Sequence, residues 1–206
     1  MLVIIRLIIG SAFLIYAIHS INQSKLKRKR GWIASAVVIF LVITSVTVFF
    51  PVENLFVNFK SPESAYKYCT GKSNINLVVE GNTCDLVVSQ KDHSYSNLIV
   101  PKTEDGWKVG VHTDTRIRSK SISDDINMIV YRYRFTNEYF LLIIDTDGGE
   151  LIVSDDYNTE FHSYESTVKT NNKRYITCGA YIPNFNSEYS VIVNGERIEI
   201  GSMELF

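Results

Sequence analysis

The chain has 206 residues and a net charge of −1, with 46% hydrophobic and 12% aromatic residues. That composition excludes a disordered chain and allows one good core or two small ones. The charge is unevenly placed: residues 1–50 hold six bases and no acid, while residues 51–206 hold fifteen bases and all 22 acids, for −7. A mildly acidic main part argues against nucleic acid as the partner.

Residues 1–50 read as a transmembrane helical hairpin, with spans at 2–19 and 31–50 and a basic loop at 20–30. Gly31 to Phe50 carries no charge, and about 20 helical residues cross a ~30 Å hydrocarbon layer. A helix that is apolar all round seldom packs inside a soluble domain. Trp32 and Phe49–Phe50 are placed as interface anchors, and Pro51 ends the helix. Leu2 to His19 is interrupted by Arg6, which sits near one end and can snorkel toward headgroups or the hydroxyls of Thr44 and Thr47. A signal peptide is the alternative, but here the charges follow the apolar run instead of preceding it.

The loop concentrates Lys25, Lys27, Arg28, Lys29 and Arg30 within six residues. Short basic loops stay cytoplasmic, so both termini and residues 51–206 are expected outside the membrane. The same bases can touch anionic lipid, at about 1 kcal/mol each. Gly10, Ser11, Ala34, Ser35 and Ala36 are small enough to allow close helix contact.

Residues 51–206 read as one mainly β (α+β) extracytoplasmic domain of antiparallel sheets with one short helix. A division into two lobes, 52–118 and 119–206, is one option. Val52–Lys60 has strand character. Ser61-Pro62-Glu63 starts a helix, as cap, first-turn proline and dipole partner. It should stop at Gly71 and bury Ala65, Tyr68 and Cys69. Strands are then expected at Asn76–Glu80, Cys84–Gln90, Tyr95–Pro101, Trp107–His112, Asn127–Phe135, Tyr139–Asp145, Glu150–Ser154, Tyr175–Ile182, Tyr189–Val193 and Glu196–Ile200. Gly81-Asn82 and Asn194-Gly195 are the clearest hairpin turns. Leu77–Ser89 (LVVEGNTCDLVVS) and Leu142–Ser154 (LIIDTDGGELIVS) match in their apolar triplets and acids, which raises the option of a duplicated hairpin.

Phe59-Lys60-Ser61-Pro62-Glu63-Ser64-Ala65-Tyr66, Val79-Glu80-Gly81 and Asp105-Gly106-Trp107-Lys108 together resemble a pattern in uncharacterised membrane-anchored or secreted proteins of Gram-positive bacteria. The likeness covers roughly a quarter of the chain. It implies extracytoplasmic placement and no particular chemistry.

Four constellations carry candidate chemistry. Cys69 and Cys84 could pair outside a membrane, a short closed loop worth on the order of 3 kcal/mol; three buried thiols, Cys178 included, are the alternative. Asp145, Asp147 and Glu150 gather oxygens that calcium could use, although the spacing departs from an EF-hand and suits a turn. Arg116, Arg118, Lys120, Arg132 and Arg134 could form a basic patch for phosphate-rich wall polymer, or could pair with acids on neighbouring strands. In Asn127–Phe135, Ile129, Tyr131, Tyr133 and Phe135 share the face opposite Arg132 and Arg134. His93, His112 and His162 lie in or beside strand ends. Asp92-His93-Ser94 cannot be a triad as it stands, because adjacent residues on an extended chain point to opposite sides.

No cofactor motif is present. These features favour a non-enzymatic, membrane-anchored outer-face binding or sensing module, contacting lipid and a protein, peptide or cell-wall polymer. An accessory or immunity-type subunit acting through its helix pair is the alternative, and a hydrolase with a dispersed site the second.

Overall fold

The computed structural model describes residues 2–25, 28–49, 51–91, 94–111, 115–133, 136–168, 173–183 and 185–201. Two long helices open it: α1 (Leu2–Gln23) and α2 (Lys29–Phe49). Both run further than expected and shrink the connection to residues 24–28. The ends explain the gain. Lys29 Nζ donates to the Asn22 carbonyl at 2.6 Å and Ser24 Oγ to the Ile21 carbonyl at 2.6 Å, satisfying carbonyls that a helix end leaves open. Arg28 takes a positive φ of 65° at the turn. Lys27 and Phe50 lie outside the described residues, as does the side chain of Arg6.

The helices meet along matching stripes. Leu14, Ala17, Ile18 and Ile21 on α1, and Ile33, Ala36, Val37 and Phe40 on α2, are the less exposed positions, at the three- and four-residue spacing of one helix face. A Cβ on Gly10 would lie 2.8 Å from the Phe40 ring, so this glycine seats that ring. The outer sides stay bare: Phe13 and Tyr16 are each 71% exposed. The stretch Lys29–Val46 has a mean hydropathy of 1.6 and none of it is buried, so α2 is long and apolar enough to cross a membrane.

The segment read as strand-like after Pro51 is instead a 3-10 turn, Val52–Leu55, followed by an isolated bridge between Phe59 and Trp107. Helix α3 (Pro62–Thr70) begins and ends as its sequence requires. Ser61 Oγ accepts from the Ser64 N–H at 3.3 Å, and Gly71 closes it with φ 71°. Its inner stripe is Pro62, Ala65 and Tyr66. Tyr66, not Tyr68, is the buried ring, and its hydroxyl donates to the Ser96 carbonyl at 2.8 Å. Tyr68 is 38% exposed and leans on Phe59.

Twelve strands follow among the described residues: β1 (Leu77–Glu80), β2 (Cys84–Lys91), β3 (Ser94–Thr103), β4 (Gly106–Trp107), β5 (Thr115–Ser121), β6 (Ile126–Tyr133), β7 (Tyr139–Asp145), β8 (Val153–Asp155), β9 (His162–Val168), β10 (Lys173–Ile182), β11 (Ser190–Val193) and β12 (Glu196–Glu199). They form three antiparallel sheets. The first is the meander β1-β2-β3-β4, the central one has the order β5-β6-β7-β10-β9, and the third is β12-β11-β8.

The central sheet is covered on both faces. Phe140 and Leu142 join Leu86, Val88 and Ile99 of the first sheet, while Leu141 and Ile143 join Val191, Val193 and Ile198 of the third. This explains the unbroken Phe-Leu-Leu-Ile-Ile run of β7, since a strand buried on both faces loses the apolar–polar alternation. The far face of the first sheet packs Val87, Leu98 and Val100 on Ala65 and Tyr66 of α3. The fold is thus mainly β, with layers in the order α3, first sheet, central sheet, third sheet.

Polar contacts fasten the first sheet to the central one. Asn97 Nδ2 donates to the Tyr131 hydroxyl at 2.6 Å, Ser166 Oγ to Gln90 Oε1 at 2.7 Å, and Asn82 Nδ2 to the Tyr181 hydroxyl at 2.9 Å. Gly179 lets β10 approach β1: a Cβ there would fall within 2.9 Å of Leu77, Val79 and Leu142.

Three expectations change. A lobe boundary at 118/119 would cut through β5, which belongs to the central sheet. The two similar thirteen-residue segments are not the same unit. Leu77–Ser89 is a hairpin, with Leu77 opposite Val88 and Glu80 opposite Asp85, whereas Leu142–Ser154 leaves β7 of the central sheet and enters β8 of the third. Finally, β5 and β9 are strands that the sequence reading missed. Both are edges of the central sheet, and their polar sequences TRIRSKS and HSYESTV show no apolar alternation.

Candidate functional site

A groove of about 590 Å³ opens between the first sheet and the loop that follows β8. Its walls come from four separate stretches: Val78 to Glu80 of edge strand β1, the loop from Tyr157 to Glu160 with His162 beyond it, the end of β10 from Tyr181 to Pro183, and Tyr189 ahead of β11. The volume falls within the usual range for small-molecule and side-chain pockets.

Asp155, the last residue of β8, shapes one wall. Its Oδ1 accepts from the backbone N–H of Tyr157 at 2.9 Å and of Thr159 at 3.1 Å. Its Oδ2 accepts from the Tyr189 hydroxyl at 2.6 Å and from the Thr159 hydroxyl. The loop is tight enough to hold Asn158 at φ 56°, a left-handed conformation that asparagine tolerates better than most residues. Burial works against the Asp155 charge, yet the hydroxyls of Thr159 and Tyr189 and the two backbone N–H groups hold its carboxyl below the ordinary carboxylate value. The Tyr189 phenol moves the other way, pushed up by burial and by its bond to Asp155. Neither group is a free acid or base; both are spent on fixing the loop.

The surface left to a ligand is aromatic and acidic. Tyr157, 51% exposed, presents its ring and is backed by the buried Tyr189, with centroids 5.2 Å apart and planes 21° apart, and Tyr181 also lines the groove. Glu80 and Glu160 supply carboxylates, and no lysine or arginine is among the described lining residues. His162 Nε2 lies 3.8 Å from Glu160 Oε1, in an open position with the two side chains 48% and 84% exposed.

The sequence-derived candidates are distributed as follows. Arg116 on β5 stands directly opposite Arg132 on β6, and Arg118 and Lys120 continue the row along the exposed edge strand. The structure therefore does assemble a basic row from four of the five residues; Arg134 lies outside the described residues. Arg132 also donates to Asn137 Oδ1 at 3.2 Å and sits 5.6 Å over the Tyr139 ring. Charged side chains on an edge strand discourage pairing with another chain. Ile129, Tyr131 and Tyr133 take the opposite face, toward the first sheet, as expected; Phe135 is outside the described residues.

A ladder of rings joins the two surfaces. Tyr139 stacks on Phe185 at 4.4 Å, Phe185 meets Tyr189 at 5.6 Å, and Tyr189 meets Tyr157. The groove wall and the basic row thus share one rigid aromatic support.

The acidic turn is built for backbone reasons. Asp145 is 4% exposed and its Oδ1 accepts from the Asp147 N–H at 2.8 Å. Gly148, at φ 71°, has no room for a side chain, since a Cβ there would lie 2.8 Å from the Arg174 carbonyl oxygen. Among the described residues, Asp145, Asp147 and Glu150 do not gather into a metal-holding group. Cys69 and Cys84 are not bridged, and all three cysteines are free thiols. Cys84 faces Glu138 at 3.5 Å, whereas Cys69 points to the Gly110 carbonyl at 3.9 Å. His93 and His112 lie outside the described residues, so only His162 of the three histidines is placed.

The groove itself was not foreseen. Its residues are spread over more than a hundred positions, and the only signal was the cluster Asp155, Tyr157, Asn158 and Thr159 in an otherwise strand-rich stretch. Comparison with protein-family models, curated proteins and solved structures finds no match to this chain.

Proposed function

We propose that the chain is a two-pass, non-enzymatic membrane protein whose domain 51–206 lies outside the membrane and captures a positively charged ligand in the groove. The observation that carries the reading is the division of labour there: Asp155, Thr159 and Tyr189 are consumed in holding the loop, leaving the Tyr157 ring and the carboxylates of Glu80 and Glu160 exposed to a guest. Carboxylates beside aromatic faces suit an ammonium or guanidinium group, and the volume suits a short basic peptide segment. The bare apolar sides of α1 and α2 support the membrane anchor, and the bases beside their connection support the orientation.

The test is calorimetric titration of the full chain in detergent with a short arginine peptide and its citrulline counterpart. Binding of the arginine peptide alone is expected, weakened about tenfold by Tyr157→Ala, the order of one cation–π contact. Loss is expected with Glu80→Gln and Glu160→Gln together. Equal affinity for both peptides, or indifference to those variants, overturns the reading.

A second reading has one observation behind it. Gly10 and Ala36 are used between the helices, but Ser11, Ala34 and Ser35 are small and face outward, where another membrane protein's helix could approach closely. Replacing residues 1–50 with an unrelated anchor separates the two: retained function assigns it to the domain, and lost function to the helices.

A further inference from the structure

We infer that Leu55 and Phe56 form an apolar wedge that enters the lipid headgroup layer and fixes how the domain sits on the bilayer; this rests on the membrane reading of α1 and α2. Leu55 is 76% exposed and Phe56 86% exposed, more than any other large apolar residue described beyond α2. They adjoin each other and follow the last residue of α2, Phe49, by six and seven positions. Even fully extended, that stretch reaches at most about 25 Å. The 3-10 turn at Val52–Leu55 shortens it, so the tip stays near the end of the helix.

The wedge is rigid and attached. The N–H groups of Phe56 and Val57 both donate to the Glu53 carbonyl, at 3.0 and 2.8 Å. The Asn54 side chain clasps Val109 as a neighbouring strand would, donating to its carbonyl at 3.1 Å and accepting from its N–H at 2.7 Å. Lys108 Nζ donates to the carbonyls of Asn54 at 2.7 Å and Val57 at 3.3 Å. The carbonyls of Glu53, Asn54 and Val57 that flank the apolar tip are therefore satisfied within the protein, which lowers the cost of bringing this segment into the headgroup layer. Phe59 then bonds to Trp107 in both directions, at 2.9 and 3.0 Å, and its ring meets the partly exposed Tyr68 at a tilt of 47°. No flexible tether intervenes between this clasp and the domain: an apolar tip held out on a stiff mount beside an apolar helix fits a lipid surface.

The test places photoreactive p-benzoylphenylalanine in the full chain, reconstituted in phosphatidylcholine–phosphatidylglycerol vesicles. One position is carried per variant: Phe56 at the wedge, Phe13 on the bare side of α1, and Ile152, 57% exposed on the domain. Lipid adducts at positions 13 and 56 and only background at 152 are expected. Adducts at 13 with background at 56, or crosslinks from 56 to a second protein chain in place of lipid, overturn the wedge while leaving the membrane anchor standing. Background at 13 overturns the membrane reading and the wedge with it.

Discussion

Glu138 precedes β7, is 7% exposed, and reaches across to the first sheet. Its carboxylate accepts from the N–H groups of Asn82 at 3.2 Å and Thr83 at 2.8 Å, from the Thr83 hydroxyl at 2.6 Å and from the Cys84 thiol at 3.5 Å. All four donors belong to the β1–β2 turn and the residue after it. Glu138→Ala removes the acceptor from all of them at once. Net hydrogen bonds to a charged group are worth about 1.5–3 kcal/mol each, but Asn82 and Thr83 are exposed enough for water to replace part of the loss. A cost of about 3 kcal/mol follows, and for a domain of this size that lowers Tm by about 6–12 °C. Glu138→Gln keeps an acceptor but turns an amide N–H toward a donor, so roughly half that effect is expected. Thermal unfolding of the full chain in detergent, followed by tryptophan fluorescence, measures it, because the Trp107 indole of β4 bonds to Asp85 of β2, the strand that follows the clamped turn. A drop of less than about 2 °C for the alanine variant, below the change expected for 1 kcal/mol, would refute the clamp. So would a melt in two separate steps, which would make the first and central sheets independent.

Two acids should respond to pH in opposite senses. Asp155 is held below its ordinary value of 3.8, so the stability it contributes is complete above that pH and lost as pH falls through the folded value. The destabilisation by Asp155→Asn should therefore shrink below pH 3.8. Burial holds Asp85 above the same value, against the pull of the Trp107 indole and the Gly81 N–H. Its contribution is present below 3.8 and lost as pH rises through the raised value, so the destabilisation by Asp85→Asn should grow on acidification. Urea unfolding above and below pH 3.8 checks both, and parallel trends would contradict the assignment. The thiols give a further expectation. Burial pushes Cys178 up to about 11, and burial with the Glu138 charge pushes Cys84 up as well. A maleimide should label the partly exposed Cys69 first and the other two only on unfolding, without reductant; a need for reductant would reinstate a disulfide.

Elements whose cause is local were legible in the sequence. Ser61, Pro62 and Gly71 bracket α3 by capping chemistry, and Asn194 and Gly195 supply the positive φ values, 50° and 86°, of the last hairpin. Both helices of the N-terminal pair were recognisable from apolar content alone. What failed depended on partners distant in sequence. The resemblance of Leu142–Ser154 to Leu77–Ser89 suggested a second hairpin, yet β7 is taken by β6 and β10 on its two edges, leaving β8 to the third sheet. Strands β5 and β9 are polar because each has a single neighbour and much exposed surface, so periodicity could not reveal them. The sequence of α3 does not distinguish Tyr66 from Tyr68, because the side that is buried is set by contact with Val87, Leu98 and Val100, which lie far along the chain. The groove was hidden for the same reason: Glu80, Tyr157 and Tyr181 converge only once the sheets stack.

The order of strands in the central sheet bears on how the chain acquires its shape as it emerges N-terminus first. The meander β1 to β4 and the pair β5–β6 need only neighbours in sequence, as does the addition of β7. The other edge of β7 then waits for β10, which is complete only at Ile182. Until that point Tyr139 to Ile144, one of the most apolar segments beyond the helices, offers unpaired backbone and two greasy faces. Such an interval invites mispairing between nascent copies. Truncation before residue 182 should therefore yield an aggregating fragment and not a smaller soluble domain.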